Sequence, residues 1–324
     1  MRGLLAQQVS EPLDEQRRRD GIPVLTGLDG DVSSRVRQQY EDNPYPRWER
    51  LPRTESPIAI DDYLRRRFPS AAFTPLGGTD GIDVLVAGCG TGQQAIDTAQ
   101  ALRGARVLAV DLSRASLGYA MRKTAEQGLT NIEYAQADIT RLAVLGRTFD
   151  VVEAVGVLHH LADPAAGWRG LLALLRPAGL MRVGLYSARA REVIAAARSY
   201  VAESGYAPTA IDIRRCRQDL TSPAQGARFG QLASLSDFYG TSGCRDLLFH
   251  VQEQCFTLPR IKALLDELNL DLIGFMLEAG VLSAYRRRFP ADTRATDLDC
   301  WERFETDHPA TFVGMYEFFV QKRG

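Results

Sequence analysis

Asp83-Val-Leu-Val-Ala-Gly-Cys-Gly-Thr-Gly92 decides the fold. Its first half is a short apolar run ending in glycine, the pattern of a strand buried on both faces of a parallel sheet. Its second half is a glycine-rich turn, and the stretch 95–103 after it reads as a helix. Glycines in such a turn let the backbone take positive φ and approach a ligand closely. The free N–H groups of the following helix favour an anionic group such as a carboxylate. The spacing narrows the choice of ligand. A dinucleotide fingerprint starting at Gly88 needs glycine or alanine at position 93; a phosphate loop needs glycine at 93 and lysine at 94. Gln93 and Gln94 stand there instead.

The alternation continues outward. Strands at 106–111, 131–138, 149–154 and 180–186 alternate with helices at 116–127, where Gly128 suits the C′ position, and at 164–175. This order predicts an α/β fold, a doubly wound, Rossmann-like parallel sheet. The pattern then breaks. Residues 188–250 read as helices and loops, Thr257 caps a further helix, and two last strands fall at 271–277 and 316–322. Upstream, a helix is expected over 31–41, capped by Asp31 or Ser33. It is followed by Asn43-Pro-Tyr-Pro-Arg-Trp48, whose two prolines forbid helix and hold the chain extended. That segment reads either as aromatics packed on the core or as a lid. Four segments result: a helical lid segment 1–80, a core 81–187, a helical substrate insertion 188–256, and a returning part 257–324.

Composition removes other classes. Lys plus Arg number 39 against 40 Asp plus Glu, a net charge of −1, which gives no overall pull toward nucleic acid or anionic lipid. No run reaches the 18 apolar residues of a membrane helix, and the apolar start at 1–6 is too short for a secretory signal. The five cysteines are scattered without metal-ligand spacing. They read as reduced thiols of a cytoplasmic protein with no metal site.

In an open α/β sheet the C-terminal strand ends face the ligand crevice. Asp111 ends the second strand and is placed to accept hydrogen bonds from both ribose hydroxyls of an adenosine group. Asp138 closes the third strand, within reach of an adenine amino group, with Ile139 against the ring. Each acid alone also reads as a helix cap. Glu153 and Val155 border the crevice after the fourth strand. These residues carry a family resemblance. Val86-Ala-Gly-Cys-Gly-Thr-Gly92, Ala109-Val-Asp-Leu-Ser113, Ala135-Gln-Ala-Asp-Ile139 and Gly156-Val-Leu-His-His-Leu-Ala-Asp-Pro164 resemble a class I S-adenosylmethionine (SAM)-dependent methyltransferase. The resemblance implies a seven-stranded sheet closed by an antiparallel pair, SAM as cofactor and S-adenosylhomocysteine as product. It implies a cofactor site from Gly88, Cys89, Gly90, Gly92, Gln93, Asp111, Leu112, Asp138, Ile139, Glu153 and Val155. Asn43–Trp48, Arg245–Glu253 and the 304–322 tail are similar to bacterial methyltransferase domains often fused to tetratricopeptide arrays; no 34-residue repeat is visible in this chain.

A methyltransferase must place a nucleophile behind the methyl group and sometimes remove a proton. The candidates for proton removal are His250 and Glu253, then His159 and His160. His250 and Glu253 are three apart and would form a pair if that stretch were helical. The alternative for them is a polar bridge to the core. His159 and His160 are adjacent, so one is expected to brace the following helix and the other to face the pocket. Tyr40, Asn43, Tyr45, Arg47, Trp48, Tyr186, Tyr239 and Arg245 are the acceptor-facing candidates. The expected acceptor is an N or O nucleophile on a protein or peptide side chain, or on a small molecule. A non-catalytic SAM-binding protein and a nicotinamide-dependent oxidoreductase are the other classes open to these residues.

Overall fold

The computed structural model describes residues 5–323 other than 29, 53, 55 and 78–80; the apolar start at 1–4 lies outside the described residues. The strands are β1 (Ile82–Ala87), β2 (Ala105–Asp111), β3 (Ile132–Gln136), β4 (Phe149–Val155), β5 (Leu175–Tyr186), β6 (Leu270–Phe275) and β7 (Met315–Lys322). They form one sheet in the order β3-β2-β1-β4-β5-β7-β6. The first five run parallel, and β7 lies antiparallel between β5 and β6. The chain order reverses between β1 and β4, and that switch point opens the crevice at their C-terminal ends.

Both faces of the sheet are covered, which is why its strands read as near-continuous apolar runs. On one face Leu85, Val152 and Phe318 pack with Trp168, Ile261 and Trp301 from helices Pro164–Ala173, Leu258–Glu267 and Leu298–Asp307. On the other, Val84, Val86 and Phe319 meet Leu64, Ala95 and Leu117 from helices Ile60–Arg67, Gln93–Ala101 and Arg114–Gln127. The insertion carries helices Glu192–Glu203, Ala210–Leu220 and Thr241–Phe249 around its own small core, which includes Ile194, Ile213, Phe229 and Leu247. Among the described residues no helix is long and apolar enough to cross a membrane.

Several local expectations are corrected. The first forty residues hold a helix at Glu11–Asp20. Pro12 sits in its first turn, where a missing N–H is no loss, and its buried Glu15 pairs with Arg122 at 2.9 Å. Helices Ile60–Arg67, Ala279–Arg288 and Leu298–Asp307 fall where none was expected. The helix Asp31–Asp42 starts after Gly30 with no side-chain cap. β5 begins at Leu175, not Leu180. Its pairing shifts between Phe149 and Val151, so 176–179 bulge out and Pro177 is tolerated within the strand. Asp163, not a histidine, caps the helix Pro164–Ala173.

Candidate functional site

A cavity of about 1090 Å³ opens at the switch point. Gly88 and Gly90, with φ of +73° and +52°, present bare backbone to it. A Cβ at Gly88 would stand 2.4 Å from Val157 Cγ2, so only glycine lets this turn pass the loop after β4. The same turn is held from outside. Thr91 Oγ1 donates to the Pro46 carbonyl (2.5 Å), and Trp48 Nε1 donates to the Thr91 carbonyl (3.3 Å). The Tyr119 hydroxyl donates to the Trp48 carbonyl. The proline-rich segment is thus both a packed aromatic anchor and, through Tyr45 and Pro46, part of the cavity wall.

Asp111 is buried in its surroundings, and burial pushes its carboxyl up. One carboxylate oxygen accepts the Gly90 N–H (2.8 Å), the other the Ser113 N–H (2.9 Å). A carboxylate offers about four acceptor sites, so each oxygen keeps capacity for a ligand hydroxyl. Asp138 also caps: its Oδ1 accepts from the Thr140 N–H and hydroxyl (2.9 and 2.6 Å). Both acids line the cavity, together with Cys89, Gln93, Leu112, Ile139 and Val155. Two expected residues do not. Gly92 turns toward Ala120, 2.6 Å from where its Cβ would lie. Glu153 is buried behind Gln94, accepting from Gln94 Nε2 (3.0 Å) and Thr98 Oγ1 (2.7 Å).

The acceptor side differs more from expectation. Tyr40, Tyr45, His160 and Tyr186 line the cavity; Asn43, Arg47, Trp48, Tyr239, Arg245, His159, His250 and Glu253 do not. Arg47 reaches out to Glu15 (3.6 Å). Tyr239 is 63% exposed and donates to the Ala233 carbonyl. Asn43 accepts from Ser242 and Arg245 pairs with Asp42, both at 3.4 Å, tying the insertion to helix Asp31–Asp42.

The helical His250–Glu253 pair does not form, because helix Thr241–Phe249 ends one residue before His250. Glu253 is instead gripped by Arg191 through both oxygens (3.2 and 3.0 Å) and by Arg198 (3.3 Å). Three further polar residues on the cavity wall were not among the candidates: Asp246, and Arg182 with its cross-strand partner Glu317. Asp246 was legible in one respect, as an acid beside Cys244, Leu247 and Leu248 on the buried side of a helix.

Three imidazoles pack together here. His160 stacks on His250 (3.8 Å between centroids), and His159 stacks on Tyr186 (3.7 Å). Burial pushes His160 down to about 4 and His250 to about 2, the latter also by the neighbouring His160. Below pH 6.5 the unfolded chain therefore binds more protons than the folded one, so stability falls with falling pH. Each of these two costs about 2 kcal/mol at pH 5 relative to neutral pH. Asp246, pushed up to about 6 by burial, works in the opposite direction and offsets about 1 kcal/mol. These three groups together contribute a loss of about 2–3 kcal/mol at pH 5, which denaturant titrations read as the difference in pH dependence between the wild type and variants that replace His160 and His250. The same pH dependence in wild type and variants between pH 7.5 and 5 would contradict the buried neutral pair.

An open sheet of this strand order, with a glycine turn after β1 and acids ending β2 and following β3, defines the class I SAM-dependent methyltransferase fold. Residues 84–179 match the family model described as a methyltransferase domain, so that stretch of the chain is a methyltransferase domain. A ubiquinone biosynthesis O-methyltransferase of Methylocella silvestris is 35% identical over 160 residues, 49% of this chain and 60% of that protein. One of Leptothrix cholodnii is 36% identical over 105 residues, 32% of this chain and 44% of that protein. The chain spans 60% or less of the length of these curated relatives. PKMT2 from Rickettsia typhi, also solved in complex with AdoHcy, shares the fold at a TM-score of 0.59 and 16% identity, over 84% of this chain and 56% of that one.

Proposed function

We propose that the chain transfers the methyl group of SAM to an N or O nucleophile of a small molecule that enters the roofed cavity. One observation carries this: a single cavity holds the glycine turn with Asp111 and Asp138 at one end, and tyrosine hydroxyls with a buried carboxylate at the other. Its volume exceeds the usual ligand-pocket range of roughly 300–1,000 Å³, which leaves room for a cofactor and an acceptor together. SAM supplies an electrophilic methyl group on a sulfonium. The backbone of 88–91 would hold its amino-acid end, Asp111 its ribose, and Asp138 with Ile139 its adenine. Tyr45, Pro46 and helix Asp31–Asp42 cover the cavity, excluding water and fixing the approach of the acceptor. Two features favour a small molecule over a protein side chain. The N-terminal helix and, through Asp246, the insertion wall the acceptor end, and the curated relatives named above are O-methyltransferases of ubiquinone biosynthesis. The unpaired cysteines suit a reducing compartment, and we place the protein in the cytoplasm.

Calorimetry should detect S-adenosylhomocysteine binding and no comparable binding of NADH. A cell extract split into protein and small-molecule fractions, each incubated with methyl-labelled SAM, should be labelled in the small-molecule fraction. Label confined to protein would replace this acceptor by a side chain. Tight NADH binding would revive an oxidoreductase.

A further inference from the structure

The acceptor end of the cavity contains an ordered proton chain. Nδ1 of His250 accepts the Gln252 N–H (3.1 Å). A neutral imidazole with Nδ1 accepting must carry its proton on Nε2. Nε2 lies 3.2 Å from the Tyr40 hydroxyl, so it donates to that oxygen. The hydroxyl's own hydrogen then goes to Asp246 Oδ1 at 2.7 Å. The direction His250 to Tyr40 to Asp246 is fixed by a backbone amide at its far end. Burial raises the Tyr40 hydroxyl well above its ordinary value, with Asp246 adding to the effect, so Tyr40 stays a donor. Asp246 is left as the acceptor at the end of the chain, on the cavity wall.

The geometry points to Asp246 as the catalytic residue that receives the acceptor's proton, with Tyr40 and His250 as positioning residues, and to an acceptor that carries a transferable N–H or O–H. This rests on the methyltransferase reading above. In the step, the acceptor's lone pair forms the bond to the methyl carbon while the carbon–sulfur bond breaks and its electron pair stays on sulfur. The acceptor's N–H or O–H proton passes to Asp246, so charge and atoms balance. His160 is the competing group. Its Nδ1 lies 2.7 Å from the Gln252 carbonyl and donates to it, which leaves a neutral Nε2 with no charge to draw a cation.

Several groups bear on Asp246 from the elements packed around it. Tyr40 comes from helix Asp31–Asp42, Tyr45 from the proline segment and Tyr186 from β5. Arg191 precedes helix Glu192–Glu203, and Asp237 and Glu253 lie further along the insertion. Burial raises Asp246 to about 6, with Arg191 and the Tyr40 hydrogen bond opposing and Glu253 and Asp237 adding. It is therefore a carboxylate at neutral pH and loses that charge as the pH falls through about 6.

The test needs no known acceptor. Sinefungin carries an amine-bearing carbon where SAM carries its sulfonium methyl, and S-adenosylhomocysteine carries nothing there. The expected result is a preference of the full chain for sinefungin over S-adenosylhomocysteine of about 10-fold or more, the usual worth of a charged hydrogen bond. That preference should fade as the pH drops below about 6. Asp246→Asn should abolish it with S-adenosylhomocysteine affinity unchanged, and Tyr40→Phe should diminish it. Retained S-adenosylhomocysteine binding also shows that each variant is folded, and the pH series tests the wild-type chain alone. A preference that survives Asp246→Asn, or is flat from pH 5 to 8, overturns the assignment and leaves the methyltransferase reading intact. Failure of S-adenosylhomocysteine to bind the wild type overturns both.

Discussion

Asp111→Ala should weaken S-adenosylhomocysteine binding by about 2–4 kcal/mol, roughly a 30- to 1,000-fold rise in Kd. Two losses combine. The first is a pair of hydrogen bonds from the ribose to a charged acceptor. The second is the brace on the cofactor turn, because Asp111 holds the Gly90 N–H at 2.8 Å and the Ser113 N–H at 2.9 Å. Without that carboxylate the Gly90 amide, part of the bare backbone facing the cavity, has no fixed direction. Asp111→Asn separates the two. Its amide keeps one acceptor oxygen, so either the Gly90 or the Ser113 contact is lost, and the fall in affinity should lie between wild type and alanine. Calorimetry reads the affinity, and a thermal melt shows whether the fold has moved with it. An unchanged Kd in Asp111→Ala would remove the ribose assignment.

The parts of this molecule that were legible in sequence are those where one residue type has one physical use. Asp83–Gly92 could only be a buried strand leading into a tight turn, and Gly128 does end its helix in the left-handed conformation, with φ of 70°. The seven strands follow from apolar runs bounded by glycines and acids. Legibility failed where a choice depended on partners distant in the chain. Trp48 reads equally as core packing or as lid until Tyr119 and Thr91 arrive from the core to fix it in the packed position. His250 and Glu253 suit a helical pair by spacing, yet the helix stops at Phe249 and two arginines from another helix region claim the glutamate. Beyond its place on the buried side of its helix, Asp246 carries no local mark of the role proposed for it. Its environment is built by Tyr40, some two hundred residues away (a separation of 206). The glycine-turn end of the cavity is local to strand ends, where most of its lining could be read; the other end is assembled from separate segments, of which Tyr40, Tyr45, His160 and Tyr186 were legible and Asp246 was not.

Arg191 is the residue on which that acceptor half depends most. Its side chain is 7% exposed and that of Glu253 6%, and they meet through two hydrogen bonds. Arg191→Ala leaves a buried carboxylate with Arg198 alone, whose side chain is 22% exposed and already donates to the His250 carbonyl at 2.7 Å. Breaking one partner of a buried ion pair costs about 3–5 kcal/mol, so the melting temperature should fall by about 6–15 °C. The double variant Arg191→Leu, Glu253→Leu should recover part of that loss, because the buried carboxylate is gone and Arg198, at 22% side-chain exposure, keeps the His250 carbonyl and solvent. A second effect separates this role from mere stability. The Arg191 guanidinium lies 3.6 Å over the Tyr186 ring, which also stacks on His159 and meets the His160 ring edge-on. Without it Tyr186 loses the contact on one face, and the wall around it loosens while the glycine turn, clamped by Trp48, does not. S-adenosylhomocysteine affinity should accordingly persist in the double variant at a temperature where it is folded, while methyl transfer does not recover with stability. A loss of less than about 1 kcal/mol in Arg191→Ala, the worth of a surface pair, would mean that Arg198 alone can hold Glu253 and that the insertion is fixed elsewhere.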